Sequence, residues 1–379
     1  MPVARTLGYP FEMTDFRFTA LAQSLPSTVP FVGPETQERA QGRPFQARLG
    51  ANENIFGPSQ KAIHAMAETP QWMYGDPESY DLRQALAQHH GCTPDHIMVG
   101  EGIDGLLGYL VRLFVSEGDA VVTSDGAYPT FNYHVAGFGG TLHKVAYVDD
   151  HEDPASLMQK AADVDAKLVY LANPDNPMGT WHKGAAIIKT LDALPKGCVM
   201  VLDEAYVETA PAGTETKVDP DDPRVIRMRT FSKAYGMAGA RVGYAIGNPE
   251  LIAAFNKVRN HFGMNRAAQA GALAALADQE HLKNTLARVE TARNRIVQIA
   301  KDNGLTPIAS ATNFVAIDCG QDGIFAQRVL AALIAQGLFV RMPFVAPQSR
   351  CIRISCGTDE NLDLFSTALP KALKIAAKG

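Results

Sequence analysis

A lysine set among hydroxyls and glycines is the first place where this chain could do chemistry. In "TFSKAYGMAGARVGYAIG", Thr230 to Gly247, Lys233 follows an apolar β-type run, with Thr230, Ser232 and Tyr235 beside it and Arg241 eight positions further on. A solvated lysine at a helix start needs no such neighbours, whereas hydroxyls and a guanidinium together are phosphate-binding donors. Thirty residues earlier, "VMVLDEAYVE" puts Asp203 at the carboxyl end of a strand too apolar to lie at an edge, with Tyr206 three residues later. Carboxylates are seldom buried without a partner, so an acid at that point indicates function rather than packing. Strand-loop-strand geometry can bring Asp203 and Lys233 to one crevice.

An imine-forming lysine, an acid for a ring nitrogen, a phenol donor and a phosphate cup are what pyridoxal phosphate requires. Two further segments bear on this reading. In "NPDNPMGT", Pro174 and Pro177 hold the residues before them extended, which aims Asn176 rather than leaving it mobile. An Asx-type turn without a ligand is the bland alternative. "GEGIDG", Gly100 to Gly105, follows a strand and opens a helix, with Asp125 at the end of the next strand, as a dinucleotide fingerprint would. Its strand is short and lies behind two helices, so what the loop offers is backbone N–H groups at a helix N-terminus, suited to any phosphate. An NAD-dependent dehydrogenase would leave Lys233 and Asp203 without a task.

Elements that could position these residues follow from the hydrophobic pattern. Short apolar strands, "HIMV", "AVVTS", "LVYLAN", "CVMVLDE", "VIRMRTFS" and "RVGYAIG", recur from His96 to Gly247 between helical or turn segments. That is the pattern of a mainly parallel sheet with helices on its faces, whose strand ends line one crevice. Before it, a helix begins after Ser59 and another spans Tyr80 to His90. The first 47 residues read as an extended arm with one short helix near Phe16 to Gln23. Ala267 to Gly304 reads as helical throughout. The remainder reads as a strand (Asn313 to Asp318), a helix (Ile324 to Gln336), strands (Leu338 to Met342, Cys351 to Ser355) and a final helix (Leu362 to Ala377). The expected division is an arm with part of a small domain (1–47), a large cofactor domain (48–266), a linking helix (267–304) and a small α+β domain (305–379).

Composition narrows the class. At 379 residues, 46% apolar and 20% charged, the chain has the make-up of an ordinary globular protein. A net charge of −5 without basic clusters gives no footprint for nucleic acid or an anionic membrane. Five scattered cysteines without a CxxC pair indicate neither a disulfide framework nor a metal site. No run approaches a membrane span and the N-terminus lacks a signal-peptide pattern, so a cytoplasmic enzyme with small-molecule partners is expected.

The chain resembles the class I/II, fold-type I pyridoxal-phosphate aminotransferases, in their histidinol-phosphate branch. The likeness runs in order through "LGANENIFGPS", "YGDPESYDLRQALA", "GEGIDGLLGYLVRLF", "PTFNYH", "NPDNPMGT", "LDEAYVE", "TFSKAYGMAGARVGYAIG" and "RISCGT". It implies an α/β fold in which a large domain holds a mainly parallel, seven-stranded type of sheet between helices, beside a smaller α+β domain. It makes Lys233 the imine lysine and proton shuttle, Asp203 the ring-nitrogen partner, and Tyr206 with Asn176 the donors to the ring hydroxyl. Phe131 would stack on the ring. The phosphate would be held by backbone at Ile103 and Asp104, by Thr230, Ser232 and Arg241, and by Tyr74 of a second subunit, which implies a homodimer. Arg353, Arg341 and Asn54 would bind substrate, without distinguishing a carboxylate from a phosphate. The reaction implied moves an amino group from histidinol phosphate, an aromatic or another amino acid to a 2-oxo acid such as 2-oxoglutarate. A decarboxylase or lyase of the same fold uses the same lysine. Regulators of this fold carry an N-terminal DNA-binding helix-turn-helix, for which the first 47 residues have neither the length nor the basic charge. Two departures concern substrate choice: Val29 and Phe31 stand where the branch has a tyrosine, and Val258 to Gln269 replaces a proline-rich segment, offering His261, Asn265 and Arg266 as a remodelled pocket wall.

Overall fold

The computed structural model describes residues 16–27 and 32–378. Val29 and Phe31 lie outside the described residues. The strands in chain order are β1 (Ala47–Arg48), β2 (Ile97–Gly100), β3 (Ala120–Ser124), β4 (Thr141–Val145), β5 (Leu168–Ala172) and β6 (Val199–Asp203). They continue with β7 (Val225–Thr230), β8 (Gly243–Ile246), β9 (Thr306–Pro307), β10 (Phe314–Asp318), β11 (Leu338–Phe339) and β12 (Cys351–Ser355). The α-helices are α1 (Ala20–Ser24), α2 (Pro34–Gln41), α3 (Gln60–Ala67), α4 (Tyr80–His90), α5 (Gly102–Phe114), α6 (Pro129–Gly137) and α7 (Pro154–Asp163). After them come α8 (Gly184–Ile188), α9 (Pro249–Ala254), α10 (Arg266–Ala277), α11 (Gln279–Asp302), α12 (Gly323–Ala335) and α13 (Asp359–Ala376).

Seven strands form one sheet in the order β2-β8-β7-β6-β5-β3-β4. β8 pairs antiparallel with β2 and β7, and the other pairings are parallel. Six strands therefore end on one edge. β5, β6 and β7 are buried along their whole length, which is why they read as continuous apolar runs. Their side chains alternate between two covers: Tyr170, Val201 and Met228 meet the cluster built with α5 and α6, while Val169, Met200 and Val225 meet the cluster built with α7. Leu106, Leu107 and Leu110 of α5 are fully buried. Each such side chain stabilises the packed state by roughly 1.5–3 kcal/mol, which fixes the helix whose first turn faces the strand ends.

The sheet does not form the dinucleotide unit that "GEGIDG" suggests. β2 sits at the sheet edge and pairs with antiparallel β8, and the chain leaves α5 for β3 near the opposite edge, so β2 and β3 are not parallel neighbours. Asp125, the acid such a unit needs, instead accepts from Lys144 Nζ at 3.0 Å.

The second core joins β10, β12, α12 and α13 to Val289, Ala292, Ile296 and Ile299 of α11. The single long helix expected over Ala267 to Gly304 breaks at Asp278, whose φ of −97° and ψ of 64° end α10 and begin α11. The break has a packing cause: α10 lies in the cluster with Ala62 and Leu86, whereas α11 turns to the C-terminal core. Two other expectations are corrected, and one strand appears that the pattern does not show. The strand expected to reach Met342 stops at Phe339 and is followed by an isolated bridge between Arg341 and Arg353. The arm is not simply extended, because Pro34 at a helix start and Gly42 in the left-handed region (φ +69°) bracket α2, and its short helix begins at Ala20. β4 is an edge strand too polar and exposed to stand out in the pattern.

Among the described residues no helix is long and apolar enough to cross a membrane.

Candidate active site

The shared edge gathers residues that are far apart in sequence. β6 ends at Asp203 and β7 at Thr230, β5 leads into Asn176, β3 leads into Tyr128, and β2 leads into the first turn of α5. A cavity of about 480 Å³ opens there, lined by Ile103, Asp104, Tyr128, Tyr170, Asn176, Asp203, Tyr206, Thr230, Ser232, Lys233, Arg241, Arg341 and Arg353. This is the crevice beyond the carboxyl ends that open α/β sheets offer a ligand.

Lys233 Nζ donates to the Asn52 carbonyl at 3.1 Å and stands 5.4 Å from the Tyr206 ring centroid. Burial, with the Arg353 and Arg241 charges acting in the same direction, pushes its amine down to about 8 against the pull of Tyr128 and Asp203. Asp203 accepts from the Tyr170 hydroxyl at 2.7 Å through Oδ2 and from the Ala205 N–H at 2.9 Å through Oδ1. Burial raises its carboxyl above the ordinary range, while those two donors and the Lys233 charge restrain it. The Tyr206 hydroxyl accepts from Asn52 Nδ2 at 3.1 Å, and burial pushes this phenol up to about 12, so it stays protonated at neutral pH.

At the other end, hydroxyl and guanidinium donors converge. Thr230 Oγ1 lies 3.0 Å from Ser232 Oγ and receives the Ser232 N–H at 3.0 Å. Arg241, in the left-handed region at φ 57°, brings Nη1 to within 3.3 Å of Ser232 Oγ. The Asp104 carboxylate turns to His134 at 2.8 Å. The unpaired N–H groups of the first turn of α5 make a ready anion site beside these side chains. Side chains are kept out of this cup. A Cβ on Gly102, whose φ is +76°, would stand 2.5 Å from Arg241 Nη2, and one on Gly243 would stand 2.6 Å from the Ile103 nitrogen.

On the remaining wall, Arg353 donates to Asn176 Oδ1 and to the Gly50 carbonyl, the latter at 3.3 Å. Its buried Nε has no hydrogen-bond partner among the described residues. Arg341 donates to the Val32 carbonyl and lies over the Phe339 ring. Burial lowers both guanidinium pKa values, so each cation has given up part of its hydration.

A model of the aminotransferase class I and II family matches residues 46–369. The chain belongs to that family. Histidinol-phosphate aminotransferase 1 of Mesorhizobium japonicum is 34% identical over 335 residues, covering 86% of this chain and 90% of its own. The histidinol-phosphate aminotransferase of an Anaeromyxobacter species is 36% identical over 356 residues, covering 92% and 97%. The crystal structure of histidinol-phosphate aminotransferase from Sinorhizobium meliloti in complex with pyridoxal-5'-phosphate is similar at a TM-score of 0.92 and 52% identity, covering 96% of this chain and 99% of that one. The chain is thus a pyridoxal-phosphate-dependent aminotransferase with the fold the resemblance implies.

Not every expected residue of this aminotransferase lies where the resemblance implies. Phe131 is fully buried and stacks on Tyr170, with ring centroids 4.8 Å apart and 17° between planes; it does not line the cavity. Tyr128, three residues earlier and before the helix proper, lines it instead. Asn54 also stands outside: its Nδ2 holds the carbonyls of Lys233 and Ala234 at 3.0 and 3.1 Å, so it shapes the lysine loop and not the substrate pocket. Tyr235 packs on Phe231 in the core. Tyr74 is 78% exposed and outside its own chain's cavity. The Val258 to Gln269 segment packs against the start of α5, where a Cβ on Gly263 would fall 1.4 Å from Glu101 Oε1. Asn265 caps α10, Arg266 holds the Tyr74 carbonyl and His261 faces a different cleft. None of these three lines the cavity.

Besides Tyr128, two site residues escape a reading of the sequence. Asn52, in "LGANEN", holds a positive φ of 55° and touches Lys233, Tyr206, Ser355 and Asn313. An asparagine in such a turn is the signal, although it does not reveal the partners. Tyr170 is hidden inside an apolar strand, and only the strand register discloses it.

Proposed function

We propose that this aminotransferase holds its cofactor against Lys233 and Asp203 and moves the amino group of an anionic donor, histidinol phosphate foremost, to a 2-oxo acid, as a homodimer. The observation that carries the reading is one cavity holding a lysine amine at one point, a buried acid at another and, at its end, a cup of hydroxyl, guanidinium and helix N-terminal donors that two glycines keep open. Pyridoxal phosphate fits this donor set, and when bound it supplies an aldehyde carbon for amines and a cationic ring that accepts electron density.

The chain's own residues do the rest. Thr230, Ser232, Arg241 and the first turn of α5 bind the phosphate group. Asp203 keeps a proton on the ring nitrogen, and Tyr206 and Asn176 orient the ring through its hydroxyl. Tyr128 provides the aromatic wall that Phe131 does not. Once displaced by the donor, the Lys233 amine takes the proton from the donor's α-carbon, a task suited to an amine whose pKa lies near neutrality. Arg353 and Arg341 grip the donor's acidic groups, a role supported by two guanidinium groups on one wall of the cavity. The relatives' names supply the choice of histidinol phosphate. Tyr74 completes the phosphate cup of the neighbouring subunit, a role supported by its exposure beside Trp72 and Phe262.

The test is amino transfer from a donor panel including histidinol phosphate and aromatic amino acids to 2-oxoglutarate, with Lys233→Ala as control. Glutamate formation with histidinol phosphate as the preferred donor is expected, together with loss of the protein's visible absorbance and of transfer in the variant. Carbon dioxide release without glutamate would identify a decarboxylase, and a variant that kept both signals would remove Lys233 from the reaction.

A further inference from the structure

We propose that Tyr170 is a positioning residue that keeps Asp203 anionic and aimed, and that Phe131 acts by holding Tyr170. The inference rests on the reading of Asp203 as the partner of the ring nitrogen.

The arrangement begins in the sheet. Tyr170 on β5 pairs in register with Val201 on β6, and Asp203 is two residues further along β6, on the same face. The two side chains are diagonal neighbours, close enough for a long aromatic to reach. The phenol spans that diagonal and donates to Asp203 Oδ2 at 2.7 Å. The second oxygen already accepts the Ala205 N–H at 2.9 Å. Each oxygen thus has one fixed donor, and both residues border the cavity.

Electrostatics give the contact its purpose. A carboxylate buried in the sheet is driven toward its neutral form, and a neutral acid cannot stabilise a proton on a ring nitrogen. A hydrogen bond to the anion opposes that drift. Tyr170 keeps its proton to donate, because complete burial beside Asp203 raises the phenol well above its ordinary value. The titratable groups facing the pair are Lys233 and Glu204 at Asp203, Glu152, Tyr128 and Tyr147 at Tyr170, and Tyr206 at Asp203. Of these, only Lys233 adds a cation near the acid; Tyr170 is the side chain that donates to it. Phe131 closes the other side of the phenol. Its ring, fully buried and nearly parallel at 4.8 Å, leaves Tyr170 no room to swing away from Asp203. The conspicuous Phe131 of "PTFNYH" thereby acquires a role one step removed from the cofactor.

Tyr170→Phe keeps the ring and the stack and removes only the hydroxyl. In the cofactor-free protein with ¹³C-labelled aspartate, assigned by the loss of one resonance in Asp203→Asn, the Asp203 carboxyl should titrate roughly one pH unit or more higher in Tyr170→Phe than in the wild type. Pyridoxamine phosphate, which binds without a covalent link, should bind Tyr170→Phe about tenfold more weakly, with no further loss when the change is added to Asp203→Asn. An unmoved titration would overturn the proposal. So would equal weakening in the Asp203→Asn background, the mark of a merely structural tyrosine. The titration uses no cofactor, so its outcome is independent of the Lys233→Ala test of the reaction itself.

Discussion

At Lys233 the fold sets a charge as well as a position. Burial and two neighbouring guanidinium groups bring the amine down to about 8 from the ordinary 10.5. The sign of the stability effect follows. Below 8 the amine is protonated in both folded and unfolded chains, and between 8 and 10.5 only the unfolded chain keeps the proton. Over that window this group's contribution to stability rises with pH, contrary to the common case of a lysine with an acidic partner. The same titration governs reactivity, because only the neutral amine attacks an aldehyde. The rate at which cofactor-free protein captures pyridoxal phosphate, followed by its visible absorbance, should therefore rise through about pH 8 and then level off. A rate still climbing steeply at pH 10 would mean an unperturbed lysine. The residue types were legible from sequence here because the chemistry is dense within a few positions: Lys233, Thr230, Ser232 and Arg241 lie within one loop and its strand end. The choice between Tyr128 and Phe131 was not. Three residues separate them, and only the way α6 packs decides which ring meets the cavity and which meets the core.

Two loops that carry site residues are joined beneath the cavity by a pair of buried acids. Glu152 accepts from Ser124 Oγ at 2.6 Å and from the Ala172 N–H at 3.0 Å. Asp175 accepts from the Tyr147 hydroxyl at 2.8 Å and the Met178 N–H at 2.9 Å, and the two carboxyls hydrogen-bond to each other. Ser124 ends β3 just before Tyr128, and Asp175 precedes Asn176, so the pair ties the segments bearing both residues. Such a contact requires a shared proton. Burial pushes Glu152 well above the carboxylate range and Asp175 up to about 6. A raised acid contributes stability that is complete below its ordinary value and is lost as pH rises through the folded one. The melting temperature of the cofactor-free protein should fall by a few degrees as pH rises above about 6, where Asp175 is ionised and Glu152 still holds the shared proton, relative to Glu152→Gln, which bridges the loops without that proton. Parallel curves above pH 6 would show that Glu152 holds no shared proton. The sequence displays the rigid "NPDNPMGT" turn but gives no hint of Glu152, which arrives from a separate segment. The central strands, by contrast, are legible because burial on both faces leaves an unbroken apolar run. β4 and the break at Asp278 depend on sheet edge and packing direction, which no local pattern records.

At the scale of the molecule, the two cores meet around the cavity: β6 and β7 supply Asp203 and Lys233 from the large sheet, and β12 supplies Arg353 from the C-terminal one. Among the described residues, an aromatic surface stays exposed in the single chain. Trp72 is 86% exposed, Tyr74 78% and Phe262 57%, and the Tyr74 and Phe262 rings lie 5.1 Å apart. Large aromatics clustered on a surface mark a region that a partner covers. A second copy is the occupant that would also give Tyr74 a phosphate to bind, and Arg266 already fixes the Tyr74 backbone at 2.9 Å. If Tyr74 is lent across the proposed interface, it belongs to the neighbour's site, and subunits defective in different ways should complement each other. Lys233→Ala contributes an intact Tyr74, and Tyr74→Ala contributes an intact Lys233. Unfolding and refolding the two variants together should yield mixed dimers with one complete site each, and amino transfer above that of either variant refolded alone. If mixing gave only the sum of the parents, although mixed dimers were confirmed by mass, Tyr74 would serve its own chain or none.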